Sequence, residues 1–369
     1  MKPMRVVIAG GGTGGHLYPG IAVARELLAR APDARITFAG TARGIEARVV
    51  PREGFELDLL RSAGLKGKSV AALARGLTLL PLSALDAWAI VSRRAPDVVI
   101  GVGGYSSGPV VLAAALRRVP TMVHEQNAVP GLTNRLLARF VSAAAVTFES
   151  TAAFFGRRAI VSGNPVRPEF FAESGTAGAA GGRPRVLIFG GSQGAHAINV
   201  AMVAAAPKLA AVRGGLAITH QTGERDLAMV QAGYRSAGLD ADVEPFLYAM
   251  DREMKRADLV VSRAGSTTLA ELAAAGRPAL LVPLPTATDD HQRRNAEVVA
   301  AAGAADVLDQ RTLTGELLAE RISALVSDRA RLDRMSKAAR TLARPDAANV
   351  IVDRVLELAR RTGNREPGS

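Results

Sequence analysis

Short runs of apolar, often β-branched residues recur along the chain, separated by longer stretches whose apolar positions return every three or four residues. Val6-Val7-Ile8-Ala9 runs into glycines and then a helical stretch predicted near 20–30, followed by Arg35-Ile36-Thr37-Phe38. Asp97-Val98-Val99-Ile100 and Thr121-Met122-Val123-His124 continue the alternation. Strands alternating with helices predict an α/β fold with parallel, doubly wound sheets. The pattern then restarts. Val6-Val7-Ile8-Ala9-Gly10-Gly11-Gly12-Thr13-Gly14-Gly15-His16-Leu17 aligns with Val186-Leu187-Ile188-Phe189-Gly190-Gly191-Ser192-Gln193-Gly194-Ala195-His196-Ala197, with six of twelve positions identical. Each segment reads as strand, glycine turn and helix, the first βα unit of a Rossmann-like domain. Leu216-Ala217-Ile218-Thr219, Leu259-Val260-Val261-Ser262 and Ala279-Leu280-Leu281-Val282 read as later strands, and 347–361 as a last amphipathic helix. The Gly/Ala-rich stretch 173–183 has linker composition, and Asn164-Pro165-Val166-Arg167-Pro168 just before it marks the domain crossing.

Composition narrows the classes. A chain of 369 residues exceeds one ordinary core, so two domains are expected. There is no cysteine, which excludes disulfides, cysteine zinc sites and thiol chemistry and fits a reducing compartment. The formal net charge of +12 suits a polyanionic partner such as nucleic acid, an anionic membrane or a phosphorylated substrate; an arginine-rich proteome is the plain alternative. Aromatic residues make up only 4%, which argues against a base-stacking nucleic-acid binder, so no nucleic acid is expected. The apolar run after Met1-Lys2-Pro3-Met4-Arg5 is too short for a signal-peptide core. No window approaches the roughly 20 apolar residues of a membrane span. The expectation is a cytoplasmic protein whose membrane contact is peripheral.

Three glycine-rich turns, 10–15, 101–108 and 190–194, stand at strand ends. Glycine lets backbone N–H groups approach an anion, and a helix starting next adds its positive end. A glycine turn without a ligand is the ordinary alternative for each; three together point to a phosphate-bearing ligand. Gly10-x-Gly12-x-x-Gly15 matches the dinucleotide fingerprint, yet the second strand ends Phe38-Ala39-Gly40-Thr41-Ala42-Arg43, and the first carboxylate, Glu46, comes too late to hold a ribose. Leu65-Lys66-Gly67-Lys68-Ser69 lacks the first glycine of a P-loop. In the second half, Ser262-Arg263-Ala264-Gly265-Ser266-Thr267-Thr268 opens a helix that carries Glu271 on the face of Thr268. A carboxylate there can accept both hydroxyls of a ribose; a capping carboxylate is the commoner use of such a residue. Asp289-Asp290-His291-Gln292-Arg293-Arg294-Asn295 is polar enough to bind a sugar, as a solvated loop would also be.

Together Gly11-Gly12-Thr13-Gly14-Gly15-His16-x-x-Pro19, Gly103-Gly104-Tyr105-Ser106-Ser107-Gly108-Pro109, His124-Glu125-Gln126-Asn127, Gly163-Asn164-Pro165-Val166-Arg167, Gly190-Gly191-Ser192-Gln193-Gly194-Ala195 and Gly265…Glu271 resemble the MurG family. These are the undecaprenyldiphospho-muramoylpentapeptide β-N-acetylglucosaminyltransferases of peptidoglycan synthesis. The likeness runs in unbroken order over roughly residues 5–355. It implies a GT-B fold, two Rossmann-like domains with parallel sheets facing across a cleft. The implied domains are 1–164, joined by a returning helix at about 346–361, and 165–345. It implies UDP-N-acetylglucosamine as donor in the C-terminal domain, lipid diphosphate-linked muramoyl pentapeptide (lipid I) as acceptor in the N-terminal domain, lipid II as product, and neither metal nor other cofactor.

The reaction so implied is an inverting displacement by the acceptor 4-hydroxyl at the anomeric carbon. His16 is the first candidate base, because it titrates near working pH and stands at the glycine loop; a phosphate donor or helix cap is the alternative. Glu125 is the second candidate base, and His124 a structural strand-end residue. Gly12, Thr13, Gly14 and Gly15, with Tyr105 and Ser106, are expected around the diphosphate of the acceptor. The first glycine loop (Thr13, Gly14, Gly15) and Asn127 are also expected to reach the donor, Asn127 orienting a sugar or phosphate oxygen on either substrate. Ser192, Thr267 and Thr268 are expected at the UDP phosphates. The resemblance implies Glu271 for the ribose, Arg167 with the backbone at Phe246 and Leu247 for the uracil, and Gln292 and Asn295 for the sugar hydroxyls. His196 reads as a plain surface position on its helix, or as a helper of the diphosphate. Leu73, Leu77, Leu79, Leu80, Leu82, Leu85 and Trp88, beside Lys66, Lys68, Arg75, Arg93 and Arg94, suit contact with an anionic inner leaflet; a buried helix is the alternative. Competing readings are another GT-B UDP-sugar transferase with a different acceptor and a non-enzymatic polyanion binder.

Overall fold

The computed structural model describes residues 3–62, 70–172, 182–191 and 194–363, without the side chains of 70–78 and 361–363. Ser192, Gln193 and Leu65-Lys66-Gly67-Lys68-Ser69 lie outside the described residues, as do the side chains of Leu73, Arg75 and Leu77. The chain divides into two compact units, Met1–Val166 with Arg344–Ser369, and Arg167–Ala343. The boundaries expected from the sequence are 164/165 and 345/346.

Unit 1 begins β1 (Arg5–Gly10), α1 (Gly14–Arg30), β2 (Arg35–Gly40), α2 (Glu46–Arg52), β3 (Glu56–Leu59) and α3 (Val70–Arg94). It continues β4 (Val98–Gly103), α4 (Ser107–Leu116), β5 (Thr121–Glu125), α5 (Leu132–Leu137), β6 (Ala143–Val146), α6 (Glu149–Phe155) and β7 (Ala159–Val161). The strands form one parallel sheet in the order β3-β2-β1-β4-β5-β6-β7. Alternate residues of β1 feed two cores: Val6 and Ile8 pack with Leu17, Ile21 and Leu27 of α1, and Val7 and Ala9 with Ala87, Ile90 and Val91 of α3. Both faces are covered, which explains the unbroken apolar runs. α1 starts at Gly14, not near 20; Gly14, Gly15, Pro19 and Gly20 are poor helix formers, but Leu17 and Ile21 are buried and hold the first turns.

Unit 2 contains β8 (Arg185–Phe189), α7 (His196–Ala210), β9 (Ala217–Gln221), α8 (Leu227–Ala237), β10 (Ala241–Glu244) and α9 (Met250–Arg256). Then come β11 (Leu259–Ser262), α10 (Ser266–Ala275), β12 (Ala279–Leu281), α11 (His291–Ala301), β13 (Ala305–Val307), α12 (Gly315–Ser327) and α13 (Arg329–Thr341). Its parallel sheet runs β10-β9-β8-β11-β12-β13. The last helix, α14 (Ala347–Gly363), belongs to unit 1, where Ile351, Val352, Val355 and Leu358 are buried beside α1. In each sheet the strand order reverses beside the first strand, between β1 and β4 and between β8 and β11. That reversal opens a crevice at the carboxyl ends of the strands, where such sheets bind ligands.

Candidate active site

In unit 1 the crevice is built by the loop after β1. Thr13 is the N-cap of α1 but does not cap it with its side chain; its hydroxyl lies 3.2 Å from His16 Nδ1. The start of α1 therefore presents backbone donors and the positive helix end to an anion. The ring of His16 lies against β4. A Cβ on Gly103 would sit 2.7 Å from His16 Cδ2, and φ there is +99°, so glycine is required twice over. The ring of Tyr105 flanks Gly12, while Ser106 is buried, 1% exposed.

Glu46, set aside above as too distant to hold a ribose, enters this loop from α2. Its buried carboxylate accepts from Gly12 N (2.8 Å), Thr41 N (2.9 Å) and Thr41 Oγ1 (2.9 Å). The Gly12 N–H is thus engaged inside the protein and is not available to a ligand. Glu125, at the end of β5, receives four hydrogen bonds: Asn127 N and Nδ2 on one oxygen, Gly131 N and Asn134 Nδ2 on the other. Burial pushes its carboxyl up, and these donors pull it back. The Asn127 carbonyl accepts from Thr151. His124 is buried, and loss of water pushes its pKa down to about 4, so it stays neutral at working pH.

In unit 2 the equivalent loop follows β8. Gly194 has φ +73°, and a Cβ there would sit 1.8 Å from the Thr222 carbonyl oxygen. Gln221, buried at the end of β9, donates to the Gly191 carbonyl (2.8 Å) and accepts from Leu247 N (2.8 Å). It therefore ties the glycine loop to the Phe246-Leu247 segment. Phe246 is exposed and packs edge-on against Tyr248. His196 is an exposed helix position, as expected, but it is paired: its Nδ1 lies 3.0 Å from both carboxylate oxygens of Asp226, which also accepts from Asn199. Asn199 in turn meets His220, which bonds Tyr234 at 2.7 Å and is held neutral by burial, with a pKa of about 3.

Gly265 is the N-cap of α10, so Thr267 and Thr268 stand in its first turn. Glu271 follows on the same face, half-buried, and among the described residues no hydrogen-bond donor meets its carboxylate. Loss of water raises its pKa to about 7, and the charge of Arg167 pulls it back. Arg167 itself lies over the ring of Phe170 at 5.1 Å. Gln292 accepts from Leu284 N (3.0 Å) at the start of α11. Asn295 is fully buried and donates to the Ala264 carbonyl at 3.3 Å, so it shapes the loop before α10 and has no surface to offer a sugar. Asp289 and Asp290 before α11 have φ of +56° and +55°, a left-handed conformation aspartate tolerates but seldom adopts twice running. An Asp-x-Asp sequence, Asp240-Ala241-Asp242, lies at the opposite end of the sheet, where β10 begins, with Asp240 paired to Arg183. Among the described residues no group of three or more His, Cys, Asp or Glu is placed to hold a metal ion.

Residues 6–146 match the glycosyltransferase family 28 N-terminal domain, and residues 185–351 the glycosyltransferase family 28 C-terminal domain. A curated relative from Anaeromyxobacter sp. (strain Fw109-5), named UDP-N-acetylglucosamine--N-acetylmuramyl-(pentapeptide) pyrophosphoryl-undecaprenol N-acetylglucosamine transferase, is 49% identical over 99% of this chain and 97% of its own. The crystal structure of Acinetobacter baumannii MurG superposes with a TM-score of 0.80 at 32% identity, covering 96% of this chain and all of that one. The chain belongs to the MurG family. A relative of the same name from Geobacter sulfurreducens is 45% identical over 97% of this chain and 100% of its own. The calicheamicin glycosyltransferase CalG4, with a TM-score of 0.70 at 17% identity, shares the fold alone. The MurG family and these glycosyltransferases have in common the GT-B fold, and the two parallel-sheet units described above are its two domains.

Proposed function

We propose that this chain transfers N-acetylglucosamine from UDP-N-acetylglucosamine to the 4-hydroxyl of the muramoyl sugar of lipid I, giving lipid II with inversion at the anomeric carbon. The observation that carries this reading is the near-complete alignment, at 49% identity, with a relative named for that reaction. The site geometry adds to it. Unit 2 supplies the donor half: Glu271 accepts the ribose hydroxyls, and the starts of α7 and α10 face the diphosphate with backbone and threonine donors. Unit 1 supplies the acceptor half: Gly14 and Gly15 at the start of α1 hold the lipid diphosphate. The acceptor oxygen forms its bond to the anomeric carbon as the bond to the UDP oxygen breaks. The electron pair leaves with UDP, and the hydroxyl proton passes to His16, whose ring is oriented by Thr13. His16 is favoured over Glu125 because four donors already occupy the oxygens of Glu125. Helix-start donors stabilise the departing diphosphate without a divalent cation.

The lipid-borne acceptor calls for membrane contact. Among the described residues no helix is long and apolar enough to cross a membrane. α3 instead exposes Leu80 (44%), Leu85 (65%) and Trp88 (47%); Arg93 and Arg94 in its last turn are paired with Asp58 and Glu56, and Arg117 stacks over Trp88. An apolar surface beside cations suits the anionic cytoplasmic leaflet.

The test is transfer of label from UDP-N-acetylglucosamine to a short-chain lipid I analogue in the presence of EDTA. Wild type should transfer. His16→Gln should lose about 10²–10⁴-fold in kcat with little change in KM. Transfer abolished by EDTA would overturn the metal-free mechanism, and full kcat in His16→Gln would remove His16 as the base.

A further inference from the structure

Unit 2 contains a cavity of about 420 Å³ whose walls include Asp258, Arg277, Pro278, Arg329, Leu332 and Arg340. It opens at the amino ends of β11 and β12, the opposite end of the sheet from the donor loops. α10 spans the distance: Glu271 lies in its first turns and Ala275 at its end reaches the cavity, a helix of roughly 15 Å.

The charge in this cavity is not balanced from within. Among the described residues lining it, Lys255, Arg277, Arg329 and Arg340 face Asp258 and Asp333; Arg329 pairs with both (2.9 and 3.5 Å) and Lys255 with Asp251 (3.7 Å), which leaves Arg277 and Arg340. Asp258 is already committed, with one oxygen to Arg329 (2.9 Å) and the other to Arg185 N (2.9 Å). Lys255 donates to the Glu169 carbonyl at 2.7 Å. Arg277 is 6% exposed, and its Nε is buried without a partner. Among the described residues, no hydrogen-bond acceptor meets the side chain of Arg277 or of Arg340. Burial and the neighbouring charges of Arg340 and Arg329 oppose the charged form of Arg277, and Asp258 offsets them only in part. A guanidinium does not shed its proton in a protein, so the group stays a buried cation, costly unless an anion meets it. Position 276 keeps the space for Arg340: a Cβ on Gly276 would lie 2.7 Å from its Cζ.

We propose that this cavity is a second anion site, separate from the donor and acceptor halves, which binds a small phosphate-bearing molecule between Arg277 and Arg340. The volume exceeds what a bare ion fills and suits a small organic phosphate or diphosphate, with Phe171, Pro278 and Leu332 as its apolar wall. Two unpartnered guanidiniums match the paired oxygens of a phosphate.

The experiment is calorimetric titration of the full chain with inorganic pyrophosphate after saturation with UDP, which occupies the proposed donor half. One equivalent should bind in this cavity, apart from any taken by the proposed acceptor loop of unit 1, which neither substitution below touches. Arg340→Gln should weaken this binding at least about tenfold and Arg277→Met should abolish it, while UDP affinity changes less than about twofold in both. Retained UDP affinity reports an intact fold, so a misfolded Arg277→Met does not count, and the exposed Arg340 decides. Absence of pyrophosphate binding, or binding indifferent to Arg340→Gln, overturns the proposal. Phosphatidylglycerol vesicles form the second arm: Arg340-dependent vesicle binding without pyrophosphate binding would replace the soluble ligand with a lipid headgroup. Failure of UDP itself to bind would count against the function proposed above; the anion site would still be read from the Arg340→Gln comparison.

Discussion

A carboxylate that titrates near pH 7 links binding to stability. Glu271 is raised from an ordinary 4.5 to about 7 by loss of water. Across that window the unfolded chain gives up a proton the folded chain keeps, so stability falls as pH rises through it and stays lower above. Glu271→Gln should therefore be more stable than wild type at pH 8, by about 1–3 kcal/mol, with the gap closing by pH 4. Thermal melts at the two pH values check this. Ribose hydroxyls donating to the carboxylate favour its ionised form. Wild-type affinity for UDP-N-acetylglucosamine should thus be higher at pH 8 than at pH 6; the glutamine variant should lose that dependence and about tenfold or more in affinity. Glu46 makes a different kind of prediction. Glu46→Ala strands the N–H groups of Gly12 and Thr41, which should cost about 2–4 kcal/mol and raise the KM for the acceptor. A melt and a KM series test both parts. The types and spacing of Glu271 and Thr268 were legible in the sequence because both sit on one helical turn. Glu46, Gln221 and Asp226 were not, because their partners lie on other strands and helices. Asn295 shows the converse: its polarity reads as recognition, and its burial assigns it to holding a loop.

At the scale of elements, the inner strands of both sheets were legible through their apolar runs, and the repeated strand-glycine-helix unit located their first strands; β3, β6, β7, β10 and β13, short and towards the sheet edges, were not. The start of α1 was not. Four residues of low helix propensity lie in its first turns, and packing of Leu17 and Ile21 outweighs them. This matters for the site, since a helix starting near 20 would leave Gly14, Gly15 and His16 in a loop without a helix end behind them. α3 carries the membrane proposal. Leu85 and Trp88, three residues apart, are both exposed, and Arg117 stacks over the Trp88 ring at 4.9 Å. Leu85→Asp with Trp88→Ser should leave the fold intact and lower binding to phosphatidylglycerol vesicles at least about tenfold. Sedimentation with vesicles measures it, and unchanged binding would shift the membrane surface elsewhere.

For the whole molecule, the decisive feature is that unit 1 is discontinuous and unit 2 is not. Ile351, Val352, Val355 and Leu358 of α14 are each no more than 2% exposed, and each contributes about 1.5–3 kcal/mol by burial. The same residues leave an apolar surface on α1 when absent. A fragment spanning 167–343 should therefore unfold cooperatively on its own. A fragment spanning 1–166 should not, until a peptide spanning 344–369 is supplied. Calorimetry of the fragments distinguishes the two.

The ribosome meets this chain in one direction only. The first unit to be started is the last to be finished, because its closing helix leaves the exit tunnel after every residue of the second unit has emerged. Premature termination anywhere before α14 yields a chain whose second unit can fold while its first stays incomplete. Such a product would carry the apolar flank of α1 uncovered, a surface that invites association with other chains.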